Sequence, residues 1–127
     1  MKIESSTGEI VDKLSILHIK KENIIDKDKL INIDKEFYYL YDIVFTDLKI
    51  SHDDFLLMVE INKKLWVIED KIRDKEYKKE FDSIFIELAR SVYITNDKRA
   101  EIKLNINLKY GSLFVEEKSY FNYLNII

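Results

Sequence analysis

Residues that break helices are almost absent from this chain of 127 residues. It has no proline, and its only two glycines are Gly8 and Gly111. Tight turns between strands favour glycine, proline and Asn-Gly pairs, so a chain without them has few places to form hairpins of strands. Long helices need only a few short connections. The sequence therefore predicts an all-α protein.

Apolar residues recur at spacings of three and four residues over four segments, which is the period of one helix face. The first predicted helix starts after Ser6, because Ser6 with Glu9 three residues later matches a capping box. It runs to about residue 26, and a polar connection is expected over 26–32. The other helices are predicted over 33–48, 52–75 and 79–110, with Gly111 as the glycine that follows the last helix.

The break between the third and fourth predicted helices is short, at residues 76–79, so these helices should form a long antiparallel hairpin. The first and second helices should pack against it to complete a helical bundle. The length fits a single domain over residues 1–127. Residues 112–127 are rich in aromatic and aliphatic side chains, which predicts a tail docked on the bundle or on a partner.

Composition excludes several kinds of site. The chain has no cysteine, and its net charge of −3 comes from acids and bases interspersed along the sequence, which makes nucleic acid an unlikely partner. It has no Glu-x-x-His pair, nucleophile elbow or phosphate-loop motif, so no metal and no cofactor are predicted. The N-terminus lacks an apolar signal segment, and no apolar run approaches the ~20 residues that span a bilayer. A cytoplasmic protein that does not contact membranes is expected.

Arginine is scarce, with three arginines against eighteen lysines, and Arg73, Arg90 and Arg99 all lie in the third and fourth predicted helices. The planar guanidinium can grip a carboxylate or phosphate with two hydrogen bonds, which lysine cannot do. A turn near residues 77 and 78 places Glu69 opposite the neighbourhood of Arg90. The arginines can therefore form ion pairs that set the register of the hairpin, bind an anionic ligand, or be exposed without a special role.

The consecutive polar residues Asn96, Asp97, Lys98 and Arg99 lie in the middle of the fourth predicted helix. Four successive positions on a helix turn through more than a full circle, so at least one side chain points toward the apolar stripe. Either the bundle narrows there and admits solvent, or a polar pocket forms against the first helix near Glu9, Asp12 or Ser15. The turn position also places Asn62 opposite Tyr93 and Asn96.

Four segments, at residues 6–17, 65–73, 89–100 and 115–120, together resemble a family of small helical proteins. That family occurs in bacteria, notably marine ones, and in their phages, and it has no assigned biochemical function. The resemblance implies a helical fold and a bacterial or phage setting. Its segments contain the candidate ligand-binding residues, which are Glu69, Arg73, Arg90, Asn96, Asp97, Arg99, Glu116, Glu117 and Lys118.

Two classes of function are compatible with these features. The first is a helical binding or scaffold module, with a protein partner or a second copy of the chain. The alternative is a small all-α enzyme or sensor that acts on an anionic metabolite bearing a phosphate or carboxylate. The sequence leaves open whether the protein is an enzyme.

Overall fold

The computed structural model describes residues 1–119 and Tyr123, and these form four α-helices, one π-helical segment and no strand. The helices are α1 (Thr7–Asn23), α2 (Lys27–Asp42), α3 (His52–Lys78) and α4 (Ser83–Lys109), and the π-helical segment Ile43–Asp47 continues α2. Helices α3 and α4 pack together, and α1 contacts α2, α3 and α4. The predicted all-α bundle with a long helical hairpin is confirmed.

Each α-helix begins after a side chain that accepts a hydrogen bond from its first turn: Ser6, Asp26, Ser51 and Asp82. Such N-caps satisfy backbone N–H groups that have no partner inside the helix. The predicted connection over 26–32 is therefore wrong, because the Asp26 side chain caps a helix that starts at Lys27. Gly111 follows α4 with a φ of 65°, as predicted for the glycine after a helix.

The hairpin turn lies at residues 79–82, a few residues later than predicted. Lys79 adopts a left-handed φ of 57° and ends α3 without a glycine. The ammonium of Lys75, on α3, donates hydrogen bonds to Glu80 and Asp82 of the turn, at 2.8 and 2.9 Å. These bonds connect the end of α3 to the residues that precede α4. This later turn shifts the residues that face each other, and Asn62 accepts a hydrogen bond of 3.5 Å from Arg99.

The hydrophobic core lies at one end of the hairpin. It joins residues of α1 such as Val11 and Leu14 to residues of α2 and α3 such as Leu40 and Met58. Among the described residues, no hydrophobic side chain between 66 and 105 is fully buried. The 27 residues of α3 span about 40 Å whereas the 17 of α1 span about 25 Å, so the far part of the hairpin extends past α1. No described helix is long and apolar enough to cross a membrane.

The first turn of α1 touches the backbone of α4. Gly8 donates its N–H to Oδ1 of Asn107 at 2.6 Å. A Cβ at this position would lie 2.5 Å from the carbonyl oxygen of Lys103 and 3.0 Å from its Cα. Because backbone atoms cannot move aside as a flexible side chain can, this contact requires glycine, and it sets how closely α1 approaches α4.

We predict that Gly8→Ala lowers the free energy of unfolding by about 1–3 kcal/mol, although alanine favours helices more than glycine does. The cost comes from the clash with the Lys103 backbone. Urea denaturation followed by circular dichroism measures it, and Lys27→Ala in the exposed first turn of α2 serves as the control. A Gly8→Ala variant as stable as the parent chain would show that the contact is not close.

Candidate functional site

A carboxylate is buried where α1 meets the hairpin. Asp12 on α1 is 2% exposed. Its Oδ1 accepts a hydrogen bond of 2.8 Å from the amide of Asn62 on α3. The same amide donates to Oγ of Ser15 at 2.6 Å, and Ser15 donates to the backbone carbonyl of Asp12 at 2.6 Å. Buried polar groups are costly unless they are hydrogen-bonded, so these partners make the buried Asp12 tolerable.

Two cations from α4 face the other oxygen of this carboxylate. Nη2 of Arg99 lies 3.6 Å and Nζ of Lys103 lies 3.9 Å from Oδ2 of Asp12. Arg99 and Lys103 are four residues apart, which places them on one helix face. Lys103 also pairs with Glu9 at 2.6 Å and with Glu116 at 3.4 Å. We refer to Asp12, Ser15, Asn62, Arg99 and Lys103 as the polar centre.

The ion pair between Glu9 and Lys103 changes the acidity of both groups. The hydrogen bond from Lys103 holds the pKa of the Glu9 carboxyl below its ordinary value, although partial burial opposes the shift. Burial alone would lower the pKa of Lys103, but the hydrogen bond and charge of Glu9, with the charges of Asp12 and Glu116, raise it. Both shifts favour the charged pair at neutral pH. The Glu9 side chain therefore binds α4 rather than completing the predicted capping box.

Residues after α4 return to the start of α1. Ser6 donates its hydroxyl to Glu116 at 3.0 Å, and Thr7 donates its N–H to Oγ of Ser112 at 2.9 Å. Lys118 pairs with Asp97 at 3.0 Å. The predicted docking of 112–127 as a whole stays a prediction, since residues 120–122 and 124–127 lie outside the described part of the chain.

A cavity of about 230 Å³ opens beside the polar centre, between α1, α3 and α4. We call it the Arg99 cavity. The guanidinium of Arg99 has five N–H donors, yet its contacts with described residues are one hydrogen bond of 3.5 Å to Asn62 and the ion pair with Asp12. Lys20, which also lines the cavity, forms no ion pair with any described residue. The remaining lining residues are Ile16, Ile19, Asn62, Leu65, Trp66 and Glu69.

The structure separates the predicted site residues into three groups. Glu69 and Arg99 share the Arg99 cavity, and the half-buried Asn96 lies one turn from Arg99 on α4. Glu116, Glu117 and Lys118 line a second cavity of about 270 Å³ against α4, and Asp97 joins this group through Lys118. Arg73 and Arg90 are exposed and form no ion pair with any described residue.

The predicted ion pair between Glu69 and Arg90 is therefore wrong, because the later hairpin turn moves Arg90 away from Glu69. The interpretation of residues 96–99 as a pocket against the first helix agrees with the contact between Arg99 and Asp12. Three residues of the site were not identified from the sequence: Lys20, Trp66 and Lys103. Lys103 could have been identified from its spacing, because a residue four positions after Arg99 lies on the same face of the helix. Lys20 and Trp66 come from other helices, and only the packing of those helices brings them here.

The described residues contain no group of three or more histidine, aspartate or glutamate side chains placed to hold a metal ion. The site thus consists of paired charges, an amide and an aromatic wall. Such a set can bind and orient an anion by hydrogen bonds and charge.

Comparison with protein families gives one full-length match: the model described as "Family of unknown function (DUF6165)" matches residues 1–126. The chain belongs to this family. The match spans both the polar centre and the Arg99 cavity, and it agrees with the predicted helical family without an assigned biochemical function. Neither the curated proteins nor the solved structures contain a match to the chain.

We predict that Glu9→Gln lowers the free energy of unfolding at pH 7 by no more than about 1 kcal/mol, since the Glu9 side chain is 45% exposed and its charge is screened by solvent. The folded-state pKa of Glu9 is lowered, so its contribution is present above the unfolded pKa and is lost as the pH falls through the folded pKa. Urea unfolding of both chains between pH 7 and pH 3 should therefore show a difference that shrinks with acid. A difference that is constant or grows toward pH 3 would contradict the ion pair.

Proposed function

We propose that this protein is a helical binding module that holds a small ligand with a carboxylate or phosphate group in the Arg99 cavity. The observation that carries the proposal is the state of Arg99. Its guanidinium lines the cavity, two long contacts hold it, and most of its donors make no hydrogen bond to a described residue. Charged hydrogen bonds from arginine to carboxylate or phosphate are short and strong, and they are often made in pairs.

The other lining residues support an anion with a small apolar part. Lys20 adds a second positive charge, and Glu69 is the only carboxylate among the described residues that line the cavity. Trp66 and the side chains of Ile16 and Ile19 supply an apolar wall. Binding pockets are mostly apolar with a few polar groups that orient the ligand, and those for drug-sized ligands measure about 300–1,000 Å³. A volume of about 230 Å³ therefore favours a ligand of small size.

The polar centre also supports a binding role because it fixes the arginine before a ligand arrives. Asp12 and Asn62 lie on α1 and α3, and each contacts the Arg99 side chain from α4. A functional side chain held by supporting contacts loses less freedom on binding. Lysine in the same place would present a single ammonium instead of a planar fork.

The proposal takes binding rather than catalysis as the role of the cavity. From the family resemblance we also propose that the protein occurs in bacteria or their phages. From the sequence we propose that it acts in the cytoplasm. A homodimer stays a prediction, to be measured by analytical ultracentrifugation.

Trp66 makes the proposal directly testable, because it is the only tryptophan in the chain and it lines the cavity. We expect saturable changes in its fluorescence on titration with phenyl phosphate or cyclohexanecarboxylate, and none with neutral cyclohexanecarboxamide. Arg99→Lys should weaken binding by about tenfold, which corresponds to about 1.4 kcal/mol. Lys20→Gln should weaken it by a smaller factor, since Lys20 contributes only a point charge.

Lys98→Gln is the matched control for Lys20→Gln, because Lys98 is exposed next to Arg99 on α4 and both changes remove one positive charge. Circular dichroism establishes that each variant keeps its helical content. Absence of a saturable change with both anions up to roughly 10 mM would refute the proposal. It would equally fail if the carboxamide bound as tightly as the carboxylate, or if Lys98→Gln weakened binding as much as Arg99→Lys.

A further inference from the structure

A further concave surface runs along the α3–α4 hairpin, on a face that does not include the Arg99 cavity. It begins as a cavity of about 680 Å³ whose apolar lining includes Leu57, Ile61, Ile68 and Ile102. A cavity of about 340 Å³, which includes Ile84 and Leu88, continues it and shares Lys71 with the first. We call this surface the hairpin groove. Among the described residues, only those of α3 and α4 line it.

Three apolar side chains of the hairpin groove are about half exposed to solvent, whereas Ile61 is buried. Leu57 is 51% exposed, Val67 is 49% exposed and Ile84 is 53% exposed. Single exposed apolar residues are normal, but soluble proteins rarely expose contiguous apolar patches larger than a few hundred Å² unless the patch binds something. The groove is therefore a surface on which another molecule can bury area.

The dimensions of the hairpin groove match those of a helix. Its lining on α3 extends from Leu57 to Lys75, which is about 27 Å of helix or five turns. Leu57, Ile61 and Ile68 lie on one stripe of α3, and Lys64 and Lys71 occupy the intervening and following positions of that stripe. An amphipathic helix lying in such a groove presents apolar residues at spacings of three and four.

The charged residues around the hairpin groove indicate which kind of helix would bind there. The larger cavity is basic: Lys63, Lys64 and Lys71 line it against a single acid, Glu60, although the chain as a whole carries a net charge of −3. In the smaller cavity, Asp70 and Asp74 balance Lys71 and Lys75. Lys64 and Lys71 form no ion pair with any described residue, whereas Lys63 pairs with Glu22 at 3.4 Å. Two copies that met through their larger cavities would bring these lysines together, which charge repulsion opposes. An acidic partner would instead complement the face.

We propose that the hairpin groove docks an acidic amphipathic helix of a partner protein. The apolar face of that helix covers Leu57, Val67 and Ile68, and its carboxylates pair with Lys64 and Lys71. This interaction is independent of the Arg99 cavity, so the two proposals succeed or fail separately.

The test measures the binding of three fluorescently labelled synthetic peptides of 18 residues to the full chain. Fluorescence anisotropy reports the binding. The first peptide carries leucines at spacings of three and four and glutamates elsewhere, the second has lysine for glutamate, and the third is the acidic peptide with its leucine positions scrambled. Only the first should bind, and its affinity should fall as salt is added. The double variant Lys64→Glu/Lys71→Glu should weaken binding by at least about tenfold.

The control is Lys27→Glu/Lys29→Glu, which makes the same change of net charge at exposed positions of α2. Circular dichroism of both double variants checks that the helices are intact. Failure of the acidic peptide to bind, equal binding of the lysine or scrambled peptide, or equal weakening by the α2 control would overturn the proposal.

Two further measurements separate other occupants of the groove. A dimer seen by analytical ultracentrifugation and abolished by Leu57→Glu would assign the groove to a second copy. Binding to phosphatidylglycerol vesicles that is lost in Lys64→Glu/Lys71→Glu, without binding of the acidic peptide, would assign it to a lipid surface. Either result would contradict a docked protein helix.

Discussion

The buried carboxylate of Asp12 is the interaction on which this bundle depends. Its side chain is almost wholly removed from solvent, and its partners come from all three helices that meet there. Asn62 links α1 to α3, and Arg99 and Lys103 link α1 to α4. Because an unpaired buried charge costs several kcal/mol, α1 can occupy only the position in which these partners reach Asp12.

Close contact and paired charge reinforce each other at this junction. Gly8 brings α1 near the backbone of α4, and Asn107 accepts its N–H. That approach places Glu9 against Lys103 one turn before Asp12 meets Arg99. A side chain at position 8 would push the helices apart and lengthen these pairs. Packing at one glycine thus supports the electrostatics of the polar centre.

A structural and a functional role meet at Arg99. The sequence posed register-setting ion pairs and an anion site as separate interpretations of the scarce arginines. In the structure, Arg99 contacts Asp12 and Asn62 and also lines the cavity with Trp66. The contacts that hold the helices together therefore also orient the group that we propose binds the ligand. Arg73 and Arg90, by contrast, lie exposed on the hairpin.

The fold was predictable from the sequence because glycine and proline are rare and apolar residues recur with the period of a helix. Both features favour long helices. Ser6 marked the start of α1 correctly, and the predicted start of the third helix at residue 52 is also correct. The start of α2 was missed because Asp26 stands in a polar stretch that also suits a loop. The position of the hairpin turn was predicted wrongly because Lys79, and not a glycine, adopts the left-handed conformation that ends α3. In addition, nothing in the sequence distinguishes Lys75 and Glu80, which form an ion pair at the turn, from other charged residues.

The site was predictable only where one helix carries the signal. Arg99 stood out through its residue type and its place in a polar run, but Trp66 and Lys20 join it from different helices. An error of a few residues in the position of the turn was enough to place Glu69 opposite Arg90, with which it forms no ion pair. Tertiary packing, rather than local pattern, decides which polar side chains share a cavity.

A double-mutant cycle between Asp12 and Asn62 tests the central role of the buried carboxylate most directly. Urea unfolding of the parent chain, Asp12→Ala, Asn62→Ala and the double variant gives the coupling free energy between the two side chains. We expect a coupling of about 0.5–3 kcal/mol, because each single change removes the hydrogen bond that joins the two buried groups. Additive effects, with a coupling below about 0.3 kcal/mol, would show that Asp12 does not lock α1 to the hairpin through Asn62 and would contradict this account.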